Sequence, residues 1–243
     1  MNLNSLYEMI YKRRSVRKYE KAPLDDALKE KILSDVSELR PLYPDIKTEL
    51  RFFTKSEVRS LMPWMPEDAI GIYSETKDGY LENAGFILAV LDLYLQSIGL
   101  GACWVGLAGP KVKGLAGELE FVILLAVGKT DVPERSGVAD FKRKDMSEIT
   151  DSPDKLSELL APARLAASSV NSQPWYFVGG DGEIDVYQRD LVRTKGLRRM
   201  NRIDVGIALA HLFLSTPDSF AVYVKGDVPE RDGMTYITTV RNG

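Results

Sequence analysis

The sequence predicts a mixed α+β fold, and three observations carry the prediction. Helix-like and strand-like segments follow one another without the regular alternation that builds a doubly wound parallel sheet. Two long apolar stretches, Leu81–Ile98 and Ile203–Leu214, read as buried helices. Segments of the first half recur weakly and in the same order in the second, which predicts two related units.

The elements follow in order. Leu3 to Lys12 reads as a short helix with Leu3, Leu6, Tyr7 and Ile10 as its apolar positions. Pro23 opens a second helix, with Asp25 and Asp26 in its first turn and Leu28, Ile32, Leu33 and Val36 on one face. Pro41 and Pro44 break the chain before a strand at Glu49–Phe53. A second strand, Ala69–Tyr73, lies between loops marked by Pro63, Pro66 and the polar run 74–79. Gly99 and Gly101 stop the first buried helix. Phe121–Val127 is continuously apolar and suits a central strand, and 129–145 is polar and irregular.

In the second half, Ser152-Pro153-Asp154 starts a helix that runs to about Ala167. Trp175–Val178 and Ile184–Tyr187 flank Gly179-Gly180-Asp181-Gly182 and predict a hairpin. Phe220–Val224 and Met234–Val240 complete the strands.

Composition excludes several classes. Hydrophobic residues make up 44% and charged residues 28%, as in ordinary globular chains. A net charge of −3 argues against nucleic-acid binding, which rests on phosphate neutralisation. The best apolar run, Phe86–Leu95, is too short for a membrane span and is interrupted by Asp92. One cysteine, Cys103, rules out an internal disulfide, and one histidine, His211, argues against a histidine metal site. With no signal-peptide pattern after Met1, the expectation is a cytoplasmic protein without metal.

Three matches carry the internal repeat. Leu50–Phe53 parallels Pro174–Phe177, and Asn83–Ala89 parallels Asp204–Ala210, at offsets of 124 and 121. Asp131-Val132-Pro133-Glu134-Arg135 recurs identically at Asp227–Arg231, at an offset of 96. The drop of 25 predicts a deletion in the second half, where little chain separates Leu214 from Phe220. The expected units are 1–150 and a shortened 151–243.

Four segments carry chemistry. Arg13, Arg14 and Arg17 with Ser15 offer guanidinium forks and a hydroxyl suited to a phosphate. Ser168, Ser169, Asn171 and Gln173, before Pro174-Trp175, offer donors and acceptors suited to the polar edge of a flat ring. Pro174 biases Gln173 toward extended backbone. The glycine-rich stretch Ser97–Gly106 permits close backbone approach, and Arg143-Lys144 adds a basic pair. Cys103 and His211 read as packed structural residues, as do Met62, Trp64, Met65 and Tyr73.

Together these segments resemble the FMN site of the nitroreductase family. The chain looks closest to single-chain members whose one polypeptide mimics the usual homodimer. The resemblance implies a nitroreductase-like fold of two duplicated halves, with mixed sheets packed around buried helices. It implies that Arg13, Arg14, Ser15 and Arg17 hold the phosphate and pyrimidine edge, and that Arg143 and Lys144 close on the phosphate. Trp104, Val105 and Gly106 would belong to a loop passing over the flavin, and Ser168, Ser169, Asn171 and Gln173 would cross from the other half.

The implied activity is hydride transfer from NADH or NADPH to flavin N5, then to a nitroaromatic, quinone or similar acceptor. No catalytic side chain is named, because the flavin performs the chemistry. The mirror site lacks an Arg-Ser motif near Asp151 and an Asn-Gln motif before Phe52, so one FMN per chain is expected. A dimer-mimicking chain leaves room for function as a monomer. The alternatives are a non-catalytic flavin- or nucleotide-binding protein with a degenerate site, and a duplicate without cofactor.

Overall fold

A computed structural model describes residues 1–180, 182–190 and 195–241. Asn2 caps the first helix, α1 (Leu3–Ile10), by accepting from the backbone N–H groups of Asn4 and Ser5. Asp25 caps α2 (Asp26–Ser37) in the same way through Leu28 N–H. The chain then forms β1 (Thr48–Thr54), a short ribbon strand β2 (Val58–Ser60) and β3 (Asp68–Ser74). The central helix α3 (Tyr80–Ser97) is apolar and buried nearly all round, as a helix enclosed by protein must be. Next come β4 (Leu100–Val105), β5 (Ala108–Pro110) and β6 (Glu120–Lys129).

The second half contains α4 (Met146–Ile149), α5 (Pro153–Arg164), β7 (Trp175–Gly180) and β8 (Glu183–Arg189). These are followed by α6 (Lys195–Ser215), β9 (Ala221–Tyr223) and β10 (Met234–Arg241). The predicted hairpin joins β7 to β8 with Gly180 opposite Glu183, and Asp181 lies outside the described residues. Helix α6 starts eight residues before the predicted Ile203, because its first turns carry Arg198, Arg199 and Arg202 rather than apolar residues.

Two four-stranded antiparallel sheets have the same connectivity. One has the order β1-β3-β6-β4, the other β7-β8-β10-β9. In each, the third strand in sequence takes the edge and the fourth inserts beside the second. In each, the central helix connects the second strand to the third. One continuous hydrophobic core spans both halves of the chain. Among the described residues, no helix is long and apolar enough to cross a membrane.

Helices α3 and α6 meet through a reciprocal contact. A Cβ on Gly85 would lie 2.1 Å from the carbonyl oxygen of Ile203, and a Cβ on Gly206 would lie 2.1 Å from that of Glu82. Each glycine thus faces the residue three before the other, as across a two-fold axis. The two glycines occupy matching places in the repeat.

The fold corrects three expectations. Leu100–Val105 is a strand, not a loop. Gly99 ends α3 at φ +83°, and glycine at 101 leaves room for Val16, which would lie 2.8 Å from a Cβ there. Val16 N–H then donates to Ala102 O at 2.9 Å, so the basic segment pairs along the edge of β4.

The identical pentapeptides do not correspond. Asp131–Arg135 follows β6, whereas Asp227–Arg231 precedes β10, the strand in the matching sheet position. The predicted deletion between Leu214 and Phe220 also falls away, since β9 stands where β4 stands in the other sheet. After β6 the first half continues through 130–150. That segment itself crosses over: Thr150 pairs with Phe177 of β7.

Candidate functional site

The two polar segments that are far apart in sequence meet at one pocket. Ser15 and Arg17 line it from one side, Ser168 and Ser169 from the other, and Trp104 and Gly106 lie between them. Ile123, Met200 and Ile207 supply apolar walls, and the cavity encloses about 180 Å³.

Beneath the first segment lies a buried ion pair. Arg13 Nη2 lies 3.1 Å from Asp92 Oδ2, each side chain only 3% exposed. Asp92 also accepts from Trp104 Nε1 at 3.1 Å and from Gln96 Nε2 at 2.6 Å. Gln96 Oε1 in turn accepts from Arg14 N–H. The carboxylate on α3 therefore orients both the basic segment and Trp104. Arg13 also donates to Ser15 Oγ at 3.3 Å. Arg14 turns to the Pro133 carbonyl instead of the pocket, and Arg17 lies over the Trp64 ring. Val105 is packed in the core behind the pocket.

The second segment is bonded to the basic pair. Arg143 donates to Asn171 Oδ1 at 2.9 Å, and Asn171 Nδ2 donates to Lys142 O. Gln173 Oε1 accepts from Lys144 N–H at 2.8 Å, while Lys144 Nζ reaches the carbonyls of Ser172 and Gln173. The loop is strained: Val170, Asn171 and Gln173 have φ of +48°, +57° and +50°. Gln173 is thus not extended before Pro174. Its N–H is held by Ser168 Oγ and its carbonyl by Lys144 Nζ, and these bonds override the proline bias. Val170, β-branched and 89% exposed, is an unusual occupant of left-handed backbone.

Positive charge accumulates beside this loop. Burial, with Arg13, Arg135 and Arg164 nearby, pushes Arg143 down to about 10. Arg135 and Arg143 both lie over the Phe141 ring, and neither makes an ion pair among the described residues. The Nε atoms of Arg13 and Arg143 are buried without hydrogen-bond partners. Such a cluster suits an incoming anion with several oxygens.

Sequence reasoning missed Asp204, a buried carboxyl on α6 that lines the pocket. Both its oxygens lie near Ser169 N–H, at 3.1 and 3.0 Å. Burial pushes it up to about 8, opposed by the Ser169 bond. The available signal was a lone acidic residue within an apolar helix, which also marked Asp92.

The folded protein therefore keeps a proton on Asp204 that the unfolded chain releases near pH 4, so this group lowers stability as pH rises from about 4 to about 8. Asp204→Asn preserves an acceptor for Ser169 and removes the titration. In urea unfolding it is expected to gain at least about 2 kcal/mol more at pH 8 than at pH 5. Equal effects at both pH values would contradict a buried neutral carboxyl.

The remaining expectations for single residues are met by packing. His211 is buried, its Nδ1 lies 2.8 Å from Pro162 O, and burial pushes it down to about 3. Cys103 is buried at the pocket edge, and burial raises its thiol. Met62, Trp64, Met65 and Tyr73 pack in or against a second hydrophobic cluster.

Comparisons with known proteins bear on the fold and the family. No curated protein matches the chain. Among solved structures, a protein described as a putative nitroreductase from Thermotoga maritima is 18% identical, with a TM-score of 0.65. The match covers 100% of this chain and 94% of that one. A nitroreductase family protein from Clostridium difficile 630 matches 61% of this chain and 96% of its own, at 18% identity and a TM-score of 0.46. An FMN-dependent nitroreductase from Clostridium difficile R20291 matches 58% of this chain and 95% of its own, at 17% identity and a TM-score of 0.41. A family model described as "Putative TM nitroreductase" matches residues 5–216. That match runs from α1 through α6 and so takes in both polar segments and the helices that join them: the chain belongs to this nitroreductase family.

Proposed function

We propose that the chain is an FMN-dependent oxidoreductase with one flavin per chain, held where its two polar segments meet. The observation that carries the reading is the cluster of Arg13, Arg135, Arg143 and Arg164 beside a pocket lined by Ser15, Arg17, Ser168 and Ser169. Residues present fit the cofactor: buried guanidinium Nε atoms lack partners, and the strained loop presents amide and hydroxyl groups at the same place. The bonds of Arg143 to Asn171 and of Lys144 to the loop would be exchanged in part for bonds to the ligand.

When bound, FMN would accept hydride at N5 from NADH or NADPH and pass it to a nitroaromatic, quinone or similar conjugated acceptor. The chain's own groups do the rest. The guanidinium cluster would hold the phosphate, and Ser168, Ser169 and Asn171 would address the ring's polar edge, while the buried Gln173, its amide bonded to Lys144 N–H and Asn171 O, braces the loop. Trp104, fixed by Asp92, sets one wall, and Ile123, Met200 and Ile207 keep the ring's surroundings apolar. Arg17 favours negative charge on the reduced ring. Ping-pong kinetics follow if donor and acceptor share this small pocket in turn.

We also read 1–150 and 151–243 as nitroreductase-like halves of an internal duplication. The shared sheet connectivity and the reciprocal Gly85–Gly206 contact support that reading. One chain would then supply what a homodimer supplies in two, and could act as a monomer.

Titration with FMN is expected to saturate at one per chain, and a ratio near two would exclude a single site. Asn171→Ala is expected to weaken FMN binding by about 1.5–3 kcal/mol, read by equilibrium dialysis. Unchanged affinity would mean that the loop does not hold the flavin. Anaerobic NADH or NADPH should bleach the bound flavin. Persistent colour with both donors would leave a flavin-binding protein without this redox activity.

A further inference from the structure

A larger cavity lies away from the flavin pocket. It encloses about 720 Å³ and shares no lining residue with the smaller one. Its walls come from elements that match those of the flavin pocket in topology. Tyr43 precedes β1 as Ser169 precedes β7. Tyr43 N–H donates to Asn83 on α3 as Ser169 N–H donates to Asp204 on α6. β10 lines this cavity as β6 lines the other, and the two strands hold the same place in their sheets. The duplication has therefore kept a mirror cavity, larger than the flavin pocket.

Its chemistry differs. The flavin pocket has a basic segment paired along the edge of β4, and no described segment pairs with the outer edge of β9. Three arginines line the mirror cavity, but Asp45, Asp78 and Asp190 line it too. Arg202 is paired with the buried Glu82, and Arg199 donates to the carbonyls of Phe121 and Val122. The charges balance, so nothing here matches the cationic cluster beside the flavin pocket. A phosphate dianion next to three carboxylates is disfavoured.

One buried group is unspent. Gln188 on β8 lines the cavity, is only 4% exposed, and its Oε1 has no hydrogen-bond partner. A buried amide oxygen without a donor is costly, and a ligand N–H would satisfy it. Tyr43, Tyr80 and Tyr236 add aromatic surface to the same walls.

We propose that this mirror cavity is a second ligand site, which takes an uncharged planar heterocycle carrying a ring N–H and no phosphate. Gln188 would accept from the ring N–H, and the tyrosines would pack on the ring. The site works independently of the flavin pocket.

The test uses lumichrome, an uncharged three-ring heterocycle with ring N–H groups, titrated by fluorescence into FMN-saturated protein. Saturable binding of one lumichrome per chain is expected, and AMP should not compete. Gln188→Leu is expected to weaken lumichrome at least tenfold and leave FMN affinity unchanged. Gln188→Met, close in size, should do the same and guards against a packing defect. Asn171→Ala should weaken FMN and leave lumichrome unaffected. The proposal is overturned if FMN-saturated protein binds no lumichrome, if both Gln188 variants bind it as wild type does, or if Asn171→Ala is what abolishes it.

Discussion

Gly206→Ala is expected to destabilise the protein more than any other single substitution considered for this chain. The added Cβ would lie 2.1 Å from Glu82 O, and backbone at 2.8 and 2.9 Å offers no flexible side chain to move aside. Helices α3 and α6 would have to part by more than an ångström along the seam of the core that they share. Overpacked cores lose about 1–3 kcal/mol when side chains can shift, and here only backbone can. A loss above about 4 kcal/mol in urea unfolding is expected, with Gly85→Ala behaving alike because its contact with Ile203 O is equivalent. By contrast, Gly226→Ala meets no atom within 4 Å and should be nearly silent. If Gly206→Ala and Gly226→Ala proved equally stable, the close helix contact would be wrong.

Arg13→Ala is the second large effect, and it acts on stability before it acts on any ligand. Removing the guanidinium leaves Asp92 buried with two neutral donors, Trp104 and Gln96, and no counter-charge. Breaking a buried pair from one side costs about 3–5 kcal/mol. Asp92→Asn should cost a similar amount, since it strands Arg13. Replacing both by apolar residues of similar volume is expected to recover most of the loss, because neither charge then needs a partner. The double-mutant cycle by urea unfolding measures this directly, and additive losses would show that the pair is not coupled. FMN affinity should stay low in the double variant, since it lacks a cation of the cluster proposed to hold the phosphate. That separation distinguishes a folding role for Arg13 from a binding role.

The physical reasons why some features could be read from sequence are specific. Helix α3 and the apolar part of α6 were legible because long apolar runs leave few alternatives, and Gly99 marks the end of α3. The meeting of residues 13–17 with 168–173 was expected from their resemblance to the nitroreductase FMN site, since their chemistry alone also suits a solvated basic face and a polar loop. β4 was hidden because glycines in an edge strand look like a turn. Here Gly101 serves the packing of Val16 rather than chain reversal. The pentapeptide misled because charged, proline-containing surface segments can coincide without sharing a position. Asp92 read only as the interruption of an apolar run, and Asp204 only as the start of a repeat match. Only tertiary contacts show that one anchors Arg13 and Trp104 and the other the strained loop. The mirror cavity could not be read at all, since its lining gathers short stretches from six places in the chain.

The reciprocal contact of Gly85 and Gly206 has a consequence for how such a protein can change. In a homodimer every substitution appears on both sides of the axis at once, so one cleft cannot be altered while its twin is preserved. It also falls apart on dilution. Here the two glycines are encoded separately, and the seam between the helices holds at any concentration. Each cleft is free to take its own course, so the larger one can set its arginines against carboxylates while its neighbour keeps a cationic cluster.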